Sequence, residues 1–468
     1  MADKSQLIIE TLDAGPPRSD PIFFVPPANP LLTGPILPTL LRMALPSVAT
    51  LALGVLVSIA ETGYIGQLGT VPLAAMALVF PFGMLVQMLS SGAMGGGVSS
   101  AISRALGAND IARAEALALH ACVIGLIGGV LHMLLMLSLG PTLYALLGGR
   151  EEVLSEAIQY GWVLFAGAPL VWLMNAQLSV VRGTGNMALP ARLVVVTSLV
   201  QIVVGAVLGL GLGPFPLLGL GGVACGTLAG YGLGALWLVK RISSGRERLR
   251  LRFSGTPLRW PLFADILKVG AVACLSPTQA VVTMLICTAL IAPFGTEVLA
   301  GYGIGQRLEF LLIPISFGIG VAAVPMVGMA IGAGLIERAR RVAWTAAGVS
   351  LVNLSVIGLL VAAFPWAWTD LFSDDPQVLA AAATHLRWVG PVFGLFGFGL
   401  TLYFAAQGSG RIAGPVIAAT VRLLMVLGVG WLLHRAQAPL WSYFALVACG
   451  MCVYAAGCAI AVRFTRWR

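Results

Sequence analysis

Two carboxylates stand well inside apolar stretches of the chain, Glu61 and Glu309, whereas nearly all of the other Asp and Glu residues fall in loops or at the ends of such stretches. A carboxylate in an apolar environment costs several kcal/mol unless it is paired, protonated or wet. No basic residue lies within ten positions of Glu61 on either side. Its neutral form is therefore favoured, and the sequence predicts a carboxyl group that takes up and releases a proton. The alternative is a side chain that reaches the interface near Gln67.

Glu309 has a basic neighbour in the sequence, Arg307, but residues two positions apart do not share a helix face. We therefore expect Glu309 to pair with Arg422, which lies near the middle of a later apolar stretch. A structural ion pair and a role in substrate binding or coupling both stay open. Arg387 and His385, on another apolar stretch, could line the same cavity.

The composition indicates the kind of elements that carry these residues. Hydrophobic residues make up 59% of the 468 residues and charged residues only 10%, and the mean hydropathy is +0.96. So few charges cannot cover the surface of a soluble protein of this size. Apolar stretches near or above the roughly 20 residues that cross a bilayer recur along the chain. The stretches are about 38–64, 73–101, 114–140, 153–180, 188–211, 217–240, 262–292, 298–328, 338–365, 377–404, 412–433 and 440–463.

A long internal repeat divides these twelve stretches into two sets of six. RGTGNMALP at 182–190 is echoed 225 positions later by QGSGRIAGP at 407–415. The sequence thus predicts an all-α integral membrane protein with twelve transmembrane helices in two six-helix bundles, related by a pseudo-two-fold axis along the membrane normal. Such a repeat is typical of transporters with a path between two bundles. The predicted parts are a flexible proline-rich arm at 1–37, bundles at 38–240 and 262–468, and a basic linker at 241–261.

The distribution of Lys and Arg predicts the orientation. If the N-terminus is cytoplasmic, 22 of the 27 basic residues fall in inside segments, and only Arg150 and Arg435 fall outside. This bias predicts a multi-pass protein of the plasma (inner) membrane, with both termini and the linker in the cytoplasm. The net charge of +9 is then a topology signal, so we expect a lipid bilayer and no nucleic acid as a partner.

Several classes of protein fit the sequence poorly. The seven cysteines all fall within apolar stretches, which disfavours a disulfide framework or a metal site. There is no Walker motif, so an ion gradient is expected to supply the energy in place of ATP. No filter-like loop repeats as in a channel. We expect a transporter without enzymatic activity and without a cofactor other than its coupling ion.

Longer segments resemble the MATE family, the multidrug and toxic compound extrusion transporters of the MOP exporter superfamily. The matching segments occur in the family's order from about residue 38 to 463. They include LPSVATLALGVLVSIAETGYIGQLG, SRALGANDIARA, VRGTGNMALP, FGTEVLAGYGIGQRLEF and AQGSGRIAGP. The resemblance implies a V-shaped pair of bundles around a central cleft, and antiport by alternating access that inward H⁺ or Na⁺ drives.

The resemblance also implies a cation site in the first bundle. The family places an Asp in helix one, an Asn and an Asp one turn apart in helix four, and a Thr in helix five. Here Glu61, Asn175, Ser179 and Thr197 stand at those positions. Because Ser179 replaces the second acid, the site has one negative charge fewer. We expect proton coupling, with Na⁺ at Glu61, Asn175 and Thr197 as the alternative. The second bundle lacks the acids that some branches use, unless Asp265 counts.

The expected function is export of drugs, toxins or lipophilic organic cations by a monomer. Apolar residues expected to face the cleft are Phe80, Phe82, Met84, Met88, Phe310 and Phe317. The alternative is a flippase of the same superfamily for lipid-linked oligosaccharides or precursors. In that case Arg307, Arg387 and Arg422 would bind a pyrophosphate; in either case we assign them, with Glu309, to the substrate cleft or to a polar network of the second bundle.

Overall fold

The computed structural model describes residues 29–253 and 255–467, and its regular elements in those ranges are all helical. Residues 1–28, which make up most of the predicted arm, lie outside the described residues. The helices of the first half are α1 (Pro30–Thr33), α2 (Ile36–Ile65), α3 (Thr70–Gln87), α4 (Gly95–Gly107), α5 (Ile111–Leu146), α6 (Glu151–Ala166), α7 (Ala168–Gly183), α8 (Ala188–Leu210) and α9 (Gly219–Ser243). A π-helical segment, Met88–Met94, joins α3 to α4.

The second half repeats this succession of long helices. Its helices are α10 (Trp260–Ala273), α11 (Leu275–Ile291), α12 (Thr296–Gly332), α13 (Ile336–Ala363), α14 (Trp366–Thr369), α15 (Pro376–Val389), α16 (Phe393–Gly408), α17 (Ala413–Arg435) and α18 (Leu440–Phe464). Eleven helical segments of the described chain are long and apolar enough to cross a membrane, or twelve with the pair α6 and α7. The predicted all-α membrane fold is confirmed.

The fourth span is bent by 44° between α6 and α7. The bend falls at Gly167 and Pro169, and Pro169 lies in the first turn of α7. Proline has no backbone N–H, and its ring clashes with the carbonyl four residues earlier, so the helix changes direction there. The bend positions α7, which carries Asn175 and Ser179, against α4 and α5.

The helices pack into two groups. In the first bundle, α2 to α9, the main pairs are α8 with α9, α5 with α7, and α2 with α8. In the second bundle, α10 to α18, the long α12 packs against α13, α15 and α16, while α17 packs against α11 and α18. The groups meet where α12 contacts α2 and α4, and where α10 contacts α4 and α5.

Both ends of the described chain reach the same side of the molecule, which we call the basic face. There the Arg338 guanidinium donates to the backbone oxygens of Leu31 and Gly34 at 3.1 and 2.6 Å. Arg340 donates to the backbone oxygen of Arg463 at 3.0 Å. The start of α2, the start of α13 and the end of α18 therefore lie together, and each bundle begins and ends at this face.

Backbone-to-backbone approaches seal the two bundles together near the basic face. A Cβ added at Gly97 would lie 2.7 Å from the backbone nitrogen of Gly270, and one at Gly107 would lie 2.2 Å from the carbonyl oxygen of Met329. In the opposite halves of α3 and α12, a Cβ at Gly83 or Gly303 would have no neighbour within 4 Å. The bundles are thus in close contact at the basic face and are not in such contact towards the other face.

Two segments that the sequence placed in an arm and a linker are ordered. Residues 29–34 form a capped helical turn in which the Asn29 side chain accepts from the backbone N–H of Leu31, and Leu31 is 7% exposed. The flexible arm predicted for 1–37 is therefore wrong over these residues, because Leu31 packs into the core beneath α12. In the linker, Leu249 and Leu251 are buried against the first bundle.

Candidate coupling site

Glu61 lies near the end of α2 and is partly buried. Its Oε1 accepts a hydrogen bond of 2.7 Å from Nε2 of Gln201 on α8. The two helices pack along one another, which brings these residues together across 140 positions of sequence. No salt bridge of the described residues includes Glu61. The carboxyl group therefore has a neutral partner.

Asn175 belongs to a second polar group, between α7, α3 and the π-helical segment. Its Nδ2 donates to Oε1 of Gln87 and to Oγ of Ser90, each at 2.8 Å. Gln87 in turn donates to the hydroxyl of Tyr231 on α9. Asn175 is 4% exposed, so these bonds satisfy an amide that would otherwise be costly to bury. Four helical elements are tied together at this point.

Ser179 and Thr197 make hydrogen bonds within their own helices. The Ser179 hydroxyl donates to the backbone oxygen of Asn175 at 2.7 Å, and that of Thr197 donates to Val194 at 3.2 Å. Both side chains are buried. Neither one, nor Asn175, makes a hydrogen bond with Glu61. The structure thus places the four expected residues in one bundle without joining them in a single hydrogen-bonded cluster.

Tyr231 lies close enough to Glu61 to experience the charge of an ionised carboxylate, and Tyr160 does too. Because Tyr231 is bonded to Gln87, the Asn175 group extends to the neighbourhood of Glu61. Gln201, Gln87 and Tyr231 are polar side chains that the sequence reasoning missed. Only Gln201 had a local signal, since it lies one helical turn after Thr197 and so on the same face of α8.

The donor set does not favour a sodium ion. Na⁺ needs several oxygen ligands and negative charge in place of its water, and Glu61 supplies a single carboxylate. The group facing that carboxylate is the amide nitrogen of Gln201, a donor with no lone pair for a cation. A proton needs only the carboxyl oxygen and a hydrogen-bond partner.

In the second bundle, Glu309 on α12 is paired with His385 on α15. Oε1 of Glu309 lies 3.3 Å from Nε2 of His385, and the imidazole is fully buried. The rings of Tyr302 and Phe444 contact it edge-on, with centroids 5.2 and 5.1 Å away. A deeply packed acid and imidazole thus form the ionisable pair of this bundle.

The expected pair of Glu309 with Arg422 is wrong. Arg422 is on α17, which packs against α11 and α18, whereas Glu309 faces α15. The guanidinium of Arg422 lies 5.1 Å from the centroid of the Tyr454 ring on α18. Arg307 lies over Phe372 at 5.5 Å and is exposed, as is Arg387. The structure does not bring the three arginines together.

Asp265, at the start of the seventh span, takes part in a contact between the bundles. Its two carboxylate oxygens accept from Arg104 at 2.7 Å and from Arg113 at 2.8 Å. Both arginines belong to the first bundle and Asp265 to the second. This acid therefore links the bundles at the basic face and lies apart from the Glu309 pair.

Known proteins share both the sequence pattern and the fold. The MatE family model matches residues 46–207 and 274–432, one segment in each bundle. The chain belongs to the MATE family. It is accordingly a multi-pass membrane transporter rather than an enzyme.

Among the relatives, an FAD transporter of Shewanella oneidensis is 27% identical over 414 residues, which cover 85% of this chain and 88% of the relative. A probable multidrug resistance protein, NorM, of Thermotoga maritima is 25% identical over 390 residues, 82% of each chain. Among solved structures, a MOP-superfamily transporter from Pyrococcus furiosus superposes with a TM-score of 0.84 at 24% identity, over 93% of this chain and 96% of that one. The last likeness concerns the fold alone.

Proposed function

We propose that this MATE protein exports small organic molecules in exchange for protons, and that Glu61 carries the coupling proton. The observation that supports the proposal is the pair of Glu61 with Gln201, an acid held by a neutral amide. A basic partner would hold the carboxyl group in its charged form. An amide can donate its NH₂ to the carboxylate, or accept from the protonated acid after it rotates by 180°. Glu61 therefore has a hydrogen-bond partner in each protonation state.

Alternating access follows from the way the bundles meet. We propose that the basic face is cytoplasmic, because the Lys and Arg excess marks the inside of a membrane protein. The contact of Gly97 with Gly270 then closes the cytoplasmic side, and the cleft opens outward. Proton uptake at Glu61 changes the hydrogen bonds between α2 and α8, and so favours one arrangement of the first bundle over the other.

The substrate is expected to have a large apolar part. Phe80, Met84 and Phe310 are exposed on the halves of α3 and α12 that the seal leaves apart. Such side chains bind lipophilic molecules. The lipophilic cation remains the expectation from the family. The flippase alternative is less well supported, since Arg307, Arg387 and Arg422 lie on separate helices and do not form one pyrophosphate site.

The test is dye efflux from proteoliposomes under an imposed pH gradient or an imposed Na⁺ gradient. Glu61→Gln cannot ionise, so we expect no gradient-driven efflux with unchanged protein level and folding. Glu61→Asp should retain part of the activity. Glu309→Gln is the matched control in the other bundle and should remain active. Normal efflux by Glu61→Gln, or efflux that only a Na⁺ gradient drives, would refute proton coupling at this residue.

A further inference from the structure

A basic side chain without an acidic partner lies where the two bundles meet. Arg182 is near the end of α7, and its Nη1 and Nη2 each lie 3.4 Å from Oγ of Ser91, at the limit of a hydrogen bond. None of the salt bridges among the described residues includes Arg182. A guanidinium has five N–H donors, and removing its charge from water is costly unless an anion or several acceptors face it. Arg182 therefore lacks the counter-charge that its position calls for.

The surroundings of Arg182 form a small cavity between the bundles, with room for about one water molecule. It is lined from the first bundle by Arg182, Ser91 and Ser99 and from the second by Val321 and Phe404. The hydroxyl of Ser99 is buried and has no hydrogen-bond partner. The cavity thus combines one positive charge and two hydroxyl donors on one wall with apolar carbon on the other.

The backbone around this cavity is unusual. Ser91 belongs to the π-helical segment Met88–Met94, and such segments are rare and frequent at functional sites. The three glycines that follow, at 95–97, leave no side chains of their own to fill the space. The cavity lies near the middle of the continuous helical segment Thr70–Gly107, at the level where the cleft ends and the seal begins.

From this arrangement we infer that Arg182, with Ser91 and Ser99, binds an anionic group of the substrate, a phosphate or a carboxylate, at the floor of the cleft. The inference rests on the proposed export function and replaces the cationic substrate class with an anionic one. Guanidinium and hydroxyl donors match the oxygens of these anions. In the sealed conformation the cavity is too small for such a group, so it binds when the bundles separate at this level.

The anionic group could belong to a soluble organic phosphate or to a lipid headgroup. Flavin mononucleotide and riboflavin are suitable probes, because both are fluorescent and they differ by one phosphate. Binding is measured with purified protein in nanodiscs of phosphatidylcholine, without any gradient. We expect the wild type to bind flavin mononucleotide at least about tenfold more tightly than riboflavin, as one charge-assisted contact provides.

Three variants test the role of Arg182. R182Q should lose the preference for the phosphate and keep its riboflavin affinity, whereas R182K should keep part of the preference. Arg307→Gln, an exposed arginine elsewhere in the chain, should behave as wild type. A thermal melt of each variant establishes that it is folded. Equal binding of the two flavins by wild type, or an undiminished preference in folded R182Q, would overturn the inference.

Two further measurements separate the remaining outcomes. If phosphatidylglycerol nanodiscs weaken flavin mononucleotide binding to wild type more than to R182Q, a lipid headgroup competes for the same anion site; equal effects identify the soluble phosphate as the source. Gradient-driven efflux of ethidium in proteoliposomes tests the export function independently. Wild type that pumps ethidium but does not prefer the phosphate would refute the anion site alone, and wild type that moves no probe would refute the proposed function.

Discussion

The amide of Gln201 suits a carboxyl group that has to change its protonation state. It donates to Oε1 of Glu61 at 2.7 Å in the structure, and the same amide can accept a proton from the neutral acid. The corresponding helices of the second bundle, its first and fifth spans, carry Gln279 and Thr420, which are hydrogen-bonded at 2.7 Å. That pair is separated by 141 positions, and Glu61 and Gln201 by 140. Equivalent contacts are thus titratable in the first bundle and neutral in the second.

We expect Gln201→Leu to raise the pH at which efflux is half-maximal by about one pH unit. The variant removes a donor that stabilises the ionised carboxylate, and such a bond to a charged group contributes about 1.5 kcal/mol. Release of the proton from Glu61 then requires a higher pH. The measurement is the pH profile of dye efflux from proteoliposomes. Gln279→Leu removes the matching amide in the second bundle and should leave the profile in place; a profile that both variants shift equally would contradict the assignment.

The sequence identified Glu61 because a lone carboxylate in an apolar helix is costly and therefore conspicuous. Gln201 and Gln87 were overlooked, since neutral amides cost less to bury and look unremarkable in a sequence. Arg422 was given the wrong partner for a different reason. Charge alone suggests that it meets Glu309, but which helices pack together is set by the tertiary structure, and α17 faces α18.

The linker between the bundles is held against the first bundle. Leu249 and Leu251 are 2% and 3% exposed, and the backbone N–H of Arg250 donates to Glu115 at 3.0 Å. The backbone N–H of Arg259 donates to Nε2 of His120 at 2.9 Å. A basic hydrophilic segment therefore follows a fixed course beneath α5.

Leu251→Ala should make this segment easier to cleave. Truncating a buried leucine costs about 2–5 kcal/mol, and here the loss falls on the docking of the linker. The linker contains several arginines, so trypsin reports directly on its release. We expect faster cleavage between residues 246 and 259 than in wild type. Phe253→Ala truncates a side chain that is already 60% exposed and should not change the rate; equal rates for all three proteins would show that the leucine does not hold the linker.

The lengths and number of the long helices were predictable because hydrophobic runs must match the bilayer. The bend at Pro169 and the order of residues 29–34 were not. Proline occurs inside several other long helices here, including Pro46 in α2 and Pro314 in α12, without dividing the span into two helices. Whether a proline bends a helix depends on the neighbours that support it, and this information is tertiary.

Gly97→Ala should favour separation of the bundles at the basic face. The added methyl would lie within 2.9 Å of backbone atoms of Gly270 and Ile266, which cannot rotate away. Overpacking of this kind costs about 1–3 kcal/mol. Spin labels at positions 147 and 371, on the opposite face of each bundle, should move closer together as that face closes. Gly83→Ala, which has open space, is the control; unchanged label distances in the Gly97 variant would count against the seal.

At the scale of the whole molecule, the bundles are joined at the basic face by charge as well as by packing. Asp265 from the second bundle bridges Arg104 and Arg113 from the first, and Arg104 also donates to Ser100. The Ser100 hydroxyl donates to the backbone oxygen of Gln407 at 2.5 Å. This continuous set of polar contacts exists only while the face is closed.

Asp265→Asn should therefore increase the population open at this face by roughly fivefold, because partly exposed ion pairs contribute about 1 kcal/mol. The measurement is the maleimide reaction rate of Ser100→Cys, a fully buried position, in detergent and in a background without native cysteines. Glu337→Gln is the matched control, since its bridge to Arg341 at 3.6 Å stays within α13. The interpretation fails if the two variants react at the same rate.

The glycine contacts across the seal set a limit on the energy of the transport cycle. Backbones that meet at Gly97, Gly107 and Gly270 touch over small areas and do not interlock through large side chains. Surfaces of this kind part with little loss of dispersion energy. One charge that crosses a membrane releases about 2.3 kcal/mol per 100 mV. A machine driven by a single proton can reopen only a junction of comparable strength, and one made of glycine is weak enough for that.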